Sequence, residues 1–370
     1  MQLIADGLVD REGVAGLAAR LGYSERQLRR QLTADLGAGP QALARAQRAA
    51  NARTLLETTD LPASEIAFAA GFSTIRQFND TLLKVYGTTP TAMRGSRHVH
   101  RSPGTLCLQL AYRPPLEAAG LFAFLAARAI PGLEEGGDDH YRRVLTLPSG
   151  LGVVTLRPAK AYIACELRLE DLRDLPAAVR RCRRLLDLDA DPRDIADHLG
   201  EDPILAPVVA AAPGRRVPGH VDAAEMAVRA ILGEETATGR SRLAHLVQRY
   251  GTPLDPAAHP LTHAFPRMEV LAEADVPAPV AALARAITAG GLHLGPEADR
   301  DQVEHELLAL PGIDAETVAR IRLRALGDPD VFLPSVPAVR EGLRRLGLTA
   351  EDARRWRPWR SYAMRHLSTP

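Results

Sequence analysis

The sequence predicts a mainly α-helical fold with a small α+β layer, and three observations predict it. Two helix–turn–helix patterns lie in the first hundred residues. A set of alternating apolar segments follows between about Leu106 and Leu169. From about Pro192 onward, apolar residues recur almost everywhere at helical spacing. A chain of 370 residues exceeds one ordinary core, so two or three domains are expected.

The first helical unit is "VAGLAARLGYSERQLRRQLTADLG", Val14 to Gly37. Leu17, Leu21, Leu28 and Leu32 follow helical spacing, Gly22 supplies the turn, and Ser24 caps the second helix. The second unit is "ASEIAFAAGFSTIRQFNDTLLKVYG", Ala63 to Gly87, with Ile66, Ala67, Ala70 and Phe72 packing inward, Gly71 at the turn and Ser73 as cap. A long amphipathic helix, "PQALARAQRAANARTLLETT", joins them. "RGSRHVHRSPGT", Arg94 to Thr105, is polar, carries Gly and Pro, and reads as a linker.

Beyond it, "LCLQLAY", "HYRRVLTLPSG", "LGVVTLRPA" and "YIACELRL" alternate like antiparallel strands. "LEAAGLFAFLAARAI" and "LRDLPAAVRRCRRLLDL" read as the helices that accompany them. The domain boundaries expected from these shifts are residues 1–98, 105–188 and 189–370.

Composition narrows the function classes. Lys and Arg number 46 against 45 Asp and Glu, so the net charge is +1 and any nucleic-acid surface must be local. Residues 1–101 hold 13 of these cations and 9 of the anions, an excess that suits modest phosphate contact. The three cysteines, Cys107, Cys165 and Cys182, form no C-x-x-C pair, so free thiols are expected and no metal site. No apolar run reaches the roughly 18 residues of a membrane span, and "MQLIADGLVDREG" lacks the order of a signal peptide. From these features a cytoplasmic chain is expected.

Two helix–turn–helix patterns joined by one helix, closed by "YGTTPTAMR" at Tyr86–Arg94, resemble the AraC-type DNA-binding domain. That resemblance implies that each second helix enters a major groove of double-stranded DNA. The implied contact residues are Arg26, Gln27, Arg29 and Arg30 on the first such helix. On the second they are Ser73, Thr74, Arg76, Gln77 and Asn79. Arg can bond guanine through two atoms, and Gln or Asn can do the same for adenine.

A second resemblance covers roughly residues 105–368. "VPGHVDAAEMAVRAILG", "LPGIDAETVARIRLRALGDPDVFLP" and "RRWRPWRSYAMRHL" are similar to the AlkA-like 3-methyladenine DNA glycosylases of the helix-hairpin-helix superfamily. Fusions of the two occur among adaptive-response proteins, with a cysteine-rich methyl-acceptor domain that this sequence lacks. Such glycosylases flip a damaged base into an aromatic pocket, where a carboxylate assists bond cleavage.

Carried onto these residues, the pattern is degenerate. The catalytic acid of "L-P-x-D" falls at Val336, and the hairpin's second glycine, after Gly312, at Asp314. Pocket aromatics fall at Glu316, Arg320 and Ser368, while Phe124 keeps its ring and Val217 takes the wedge position. Asp314 can adopt the left-handed backbone that the glycine would supply, but its charge faces the expected phosphate. Asp328, Asp330 and Glu341 are the carboxylates nearest to Val336 in sequence. Trp356 and Trp359 read as core.

The expected function is a sequence-specific transcriptional regulator carrying a catalytically dead glycosylase-like domain. It needs no cofactor and has RNA polymerase or a small-molecule effector as further partners. Two alternatives stay open: an active alkylation-repair glycosylase that removes alkylated purines, and a non-catalytic binder of damaged DNA. Glu316 and Arg320 stand four apart on one helix, so an ion pair is expected to close the old pocket.

Overall fold

The computed structural model describes residues 4, 8–59, 61–94, 105–255, 261–295 and 298–368. The expected linker falls almost wholly outside them. The chain divides into two compact units. One is Met1–Leu110 with Leu147–Gly152 and Ala164–Arg180. The other is Ala111–Thr146, Val153–Ile163 and Arg181–Pro370.

The first unit begins with the helix Leu8–Arg20, kinked at Gly13 (φ 72°). Gly22 (φ 69°) turns the chain, and the next helix runs Glu25–Leu36. Ser24 and Gln27 form a reciprocal cap: the Ser24 side chain accepts from the Gln27 N–H, and the Gln27 side chain accepts from the Ser24 N–H. Leu17 and Leu28 are buried between these helices. Leu21 is 37% exposed, against expectation, because the helix ends at Arg20 and Leu17 and Ala18 already fill the inward positions.

The helix Pro40–Thr58 leads to the second pair, Ala63–Ala69 and Ile75–Tyr86, with Gly71 (φ 90°) between them. Thr74 caps the latter helix, and Ser73 does not. The sequence offers two capping residues in a row, and the one with extended backbone directly before the first helical residue takes the role. Phe72 and Phe78 meet edge to face, their centroids 5.5 Å apart, over buried Ile66 and Leu82.

Five strands form one antiparallel sheet in the order β1-β5-β4-β3-β2: β1 Leu106–Leu110, β2 Glu134–Gly136, β3 Tyr141–Leu147, β4 Gly150–Pro158 and β5 Ile163–Leu169. Four of them were legible as alternating segments. The short β2, "EEG", has no apolar alternation of its own and is held by pairing Glu134 with Arg143 and Gly136 with Tyr141.

The second unit is mostly helical. Its helices at the site are Ala118–Ala126, Ala223–Leu232, Ala315–Ala325, Pro337–Leu346 and Arg360–Leu367. Trp356 is buried among Leu205, Leu333, Val339 and Met364, and its indole N–H donates to Asp202 Oδ2 at 2.9 Å. Trp359 lies edge-on to Tyr362 at 5.7 Å.

The helices Pro337–Leu346 and Arg360–Leu367 touch through Gly342, where an added Cβ would lie 2.2 Å from the Leu367 carbonyl oxygen. Backbone cannot yield as a side chain can. Gly342→Ala is therefore expected to destabilise this unit by about 1–3 kcal/mol or more, read as a lower Tm. An unchanged Tm would refute this packing.

Beneath the site lies a buried charge network. Arg143 meets Glu134 and Glu225, each at 2.8 Å. Arg229 meets Glu134 at 2.7 Å, Glu225 at 3.1 Å and Glu234 at 2.6 Å. Glu234 also receives Arg324 at 3.0 Å. Three arginines balance three glutamates.

Candidate functional site

The two helix–turn–helix pairs present matching positions. In each, the fourth residue after the cap is buried, Leu28 in one and Phe78 in the other. Arg26 and Arg76 are then equivalent, as are Gln27 and Gln77, and Arg29 and Asn79. Arg26, Gln27, Arg29, Arg30, Ser73, Thr74, Arg76, Gln77 and Asn79 are all exposed. Two of them also serve their own helices. The Gln27 side chain accepts from Ser24, and Thr74 accepts from the Gln77 N–H. Arg76 is 92% exposed and only loosely held by Asp80 at 3.8 Å, which leaves its guanidinium available.

The second unit contains a cavity of about 480 Å³. Phe124, Val217, Arg320, Val336 and Ser368 all line it. Glu316 does not line it. It is exposed, with its carboxylate 2.5 Å from Arg320, and Arg320 also holds Glu235 at 2.7 Å. The expected ion pair is therefore present, but it does not close the pocket. Arg128, Arg215, Arg324 and Arg365 line the cavity as well.

Three of these arginines gather around one ring. The guanidinium carbons of Arg128, Arg365 and Arg324 lie 3.7, 4.5 and 5.0 Å from the Phe124 centroid. Burial pushes Arg128 down to about 10, and Arg324 pushes in the same direction. Burial likewise lowers Arg365 to about 10, with help from Arg128 and Arg324. Sequence reasoning missed this cluster, although Arg128 stands four residues after Phe124 and Arg324 four after Arg320.

Val336 is half-buried at the cap of helix Pro337–Leu346, whose first turn carries no acid. None of the neighbouring carboxylates lines the cavity. Asp328 is buried against Arg322 at 2.8 Å, Asp330 is held by Arg360 and Arg357, and Glu341 by Arg344. The acids on the lining are Glu117 and Glu235. Glu117 accepts the Gly120 N–H at 2.7 Å and so caps helix Ala118–Ala126.

At the hairpin, Gly312 has φ 79°, as a tight turn needs. Asp314 does not adopt the left-handed conformation. Its φ is −95°, and it caps helix Ala315–Ala325 by accepting the Thr317 N–H at 2.8 Å. That bond holds its carboxyl below the usual range. A helix N-terminus that attracts anions is thus occupied by the chain's own carboxylate.

The family model "AlkA N-terminal domain" matches residues 107–222, and "Helix-turn-helix domain" matches residues 17–96. The probable bifunctional transcriptional activator/DNA repair enzyme AlkA of Mycobacterium tuberculosis (strain ATCC 25618 / H37Rv) is 49% identical over 391 residues. That match covers 100% of this chain and 79% of the relative. This chain belongs to the AlkA family.

It joins an AraC-type helix–turn–helix domain to an AlkA glycosylase region. DNA-3-methyladenine glycosylase 2 of Escherichia coli (strain K12) is 34% identical to this AlkA-family chain, covering 70% of it and 95% of the relative. The solved structure of the 3-methyladenine DNA-glycosylase from Archaeoglobus fulgidus shares the fold, with TM-score 0.57 and 18% identity over 71% of this chain and 96% of that one. Among the described residues no helix is long and apolar enough to cross a membrane.

Buried titratable groups around this AlkA-type site give it a pH signature. Burial holds His220 down to about 3 and His366 to about 4. Below pH 6.5 unfolded histidine binds a proton that the folded form refuses, so their stabilisation fades as pH falls from 6.5 through 4 and 3. Asp187 runs the other way. Burial raises it to about 6, so the folded form takes its proton first and gains stability as pH falls from 6 toward about 3.9. Two histidines outweigh one aspartate. The Tm is expected to fall between pH 6.5 and 4, and to fall more steeply in Asp187→Asn. A flat profile, or an unchanged slope in that variant, would contradict these assignments.

Proposed function

We propose that this AlkA-family chain is a sequence-specific DNA-binding transcriptional regulator whose glycosylase-like domain does not excise bases and serves for sensing or partner binding. The observation that carries this reading is the sign of charge in the cavity. Five arginines and two glutamates line it, and no carboxylate stands at Val336. Purines alkylated at ring nitrogens are electron-poor or cationic, and the leaving reaction builds positive charge on the sugar. A cationic lining repels both. Guanidinium groups already approach Phe124, so its ring is poorly placed to stack on a flipped base. Lack of one charge-stabilising group alone typically costs about 10²–10³ in rate.

The DNA-binding part of the proposal rests on the exposed, repeated faces of the two recognition helices. Selection from random duplexes by the full chain is expected to return one preferred sequence, with affinity falling steeply as salt rises. Arg29→Ala and Arg76→Ala are each expected to weaken that site by about 1–3 kcal/mol. No enrichment of any sequence would overturn the regulator reading.

A second reading has one observation in its favour. Glu117 and Glu235 line the cavity and could in principle supply a relocated carboxylate for excision. The relatives' names, which include repair enzymes, agree with that alternative.

A further inference from the structure

We propose that the cavity around Phe124 binds a small, flat organic anion, held at its charged end by Arg128, Arg324 and Arg365 and along its body by the apolar wall. The inference deepens the sensing role proposed above and rests on that reading for its regulatory meaning, though not for the binding itself.

The charge balance of the lining is the first argument. Glu235 is engaged by Arg320, and Glu117 is spent on capping its helix. Arg324 reaches Glu234 and the Gly219 carbonyl, but Glu234 is shared with Arg229, and the Arg324 Nε is buried without a hydrogen-bond partner. Its charge is therefore only partly compensated by the protein, and an anion in the cavity beside the guanidinium would stabilise it. The Arg128 Nη1 has only a long contact, 3.4 Å, to the Phe124 carbonyl oxygen.

Shape is the second argument. Much of the rest of the lining is apolar, including Val217, Met226, Leu333, Val336 and Met364. A volume of about 480 Å³ suits a small molecule. A ligand with a flat hydrocarbon or heterocyclic body and one terminal carboxylate or phosphate would satisfy both ends. The Val336 side chain, where a catalytic acid would repel such a ligand, is compatible with it.

The two anionic sources can be separated experimentally. Full chain without DNA would be titrated with adenosine monophosphate and with benzoate, and with their neutral counterparts adenosine and benzamide, by calorimetry and thermal shift. Saturable binding of at least one anion is expected, with none by the neutral partners. Adenosine monophosphate alone would assign a phosphate monoester, and benzoate alone a carboxylate. Arg128→Gln and Arg365→Gln are each expected to weaken binding at least about tenfold; Arg128→Gln covers the case in which the more deeply set Arg365 variant misfolds.

Absence of anion preference, or undiminished binding in Arg128→Gln, would overturn the proposal. So would arginine-dependent stabilisation by a short duplex but by neither anion, which would assign these side chains to a DNA backbone. Because base release is measured separately, an active glycosylase would sink the proposed function and leave this result standing.

Discussion

Arg229→Met is expected to destabilise the second unit by about 3–5 kcal/mol. Arg229 lies at the centre of the buried network and touches Glu134, Glu225 and Glu234. Removing it strands three carboxylates with Arg143 and Arg324 alone to balance them, and a buried charge without a partner costs far more than the pair contributes. Those carboxylates would then take up protons, so the variant should lose least at low pH. The exposed partner of Arg320 offers a control. Glu316→Gln removes a surface contact and should change stability by under about 1 kcal/mol. The chain has two units, so unfolding must be followed by a probe in the second, such as the fluorescence of buried Trp356. A loss in Arg229→Met no larger than that in Glu316→Gln would contradict the network.

The network also links fold to site. Glu234 anchors Arg324, and Arg324 leans on Phe124. Glu234 and Arg324 therefore belong to one arrangement that runs from the buried network to the cavity.

Some of this was legible in the sequence. Glycine followed two or three residues later by a hydroxyl cap marks both helix–turn–helix pairs, because positive φ and an unpaired helix N-terminus each demand a particular residue type. Alternation marked four strands. Val336, Phe124 and Ser368 fell on the cavity because motif spacing fixes positions along one segment. Other features depend on pairing across the chain. Strand β2 exists only through its partner. The five cavity arginines come from four separate segments between Arg128 and Arg365, and the network joins residues from Glu134 to Arg324. Read locally, each looks like a solvated charge. The choice of Thr74 over Ser73, and the extended backbone of Asp314, turn on geometry of a single residue that pattern alone does not resolve.

The proposed loss of excision carries the largest expected effect. Restoring one group is not enough: in Val336→Asp the new carboxylate would share a cavity with five arginines and a ring already covered by cations. Release of 3-methyladenine and 7-methylguanine is therefore expected to stay at background in that variant too.

Loss of excision is tested most directly by release of free base from methylated duplex DNA by the purified full chain. The Escherichia coli DNA-3-methyladenine glycosylase 2 serves as the positive control, with Glu117→Gln and Glu235→Gln run in parallel. No release above the protein-free control is expected under conditions in which the positive control goes to completion. Robust release that disappears in Glu117→Gln or Glu235→Gln would contradict that loss and make this chain a repair enzyme with a relocated acid.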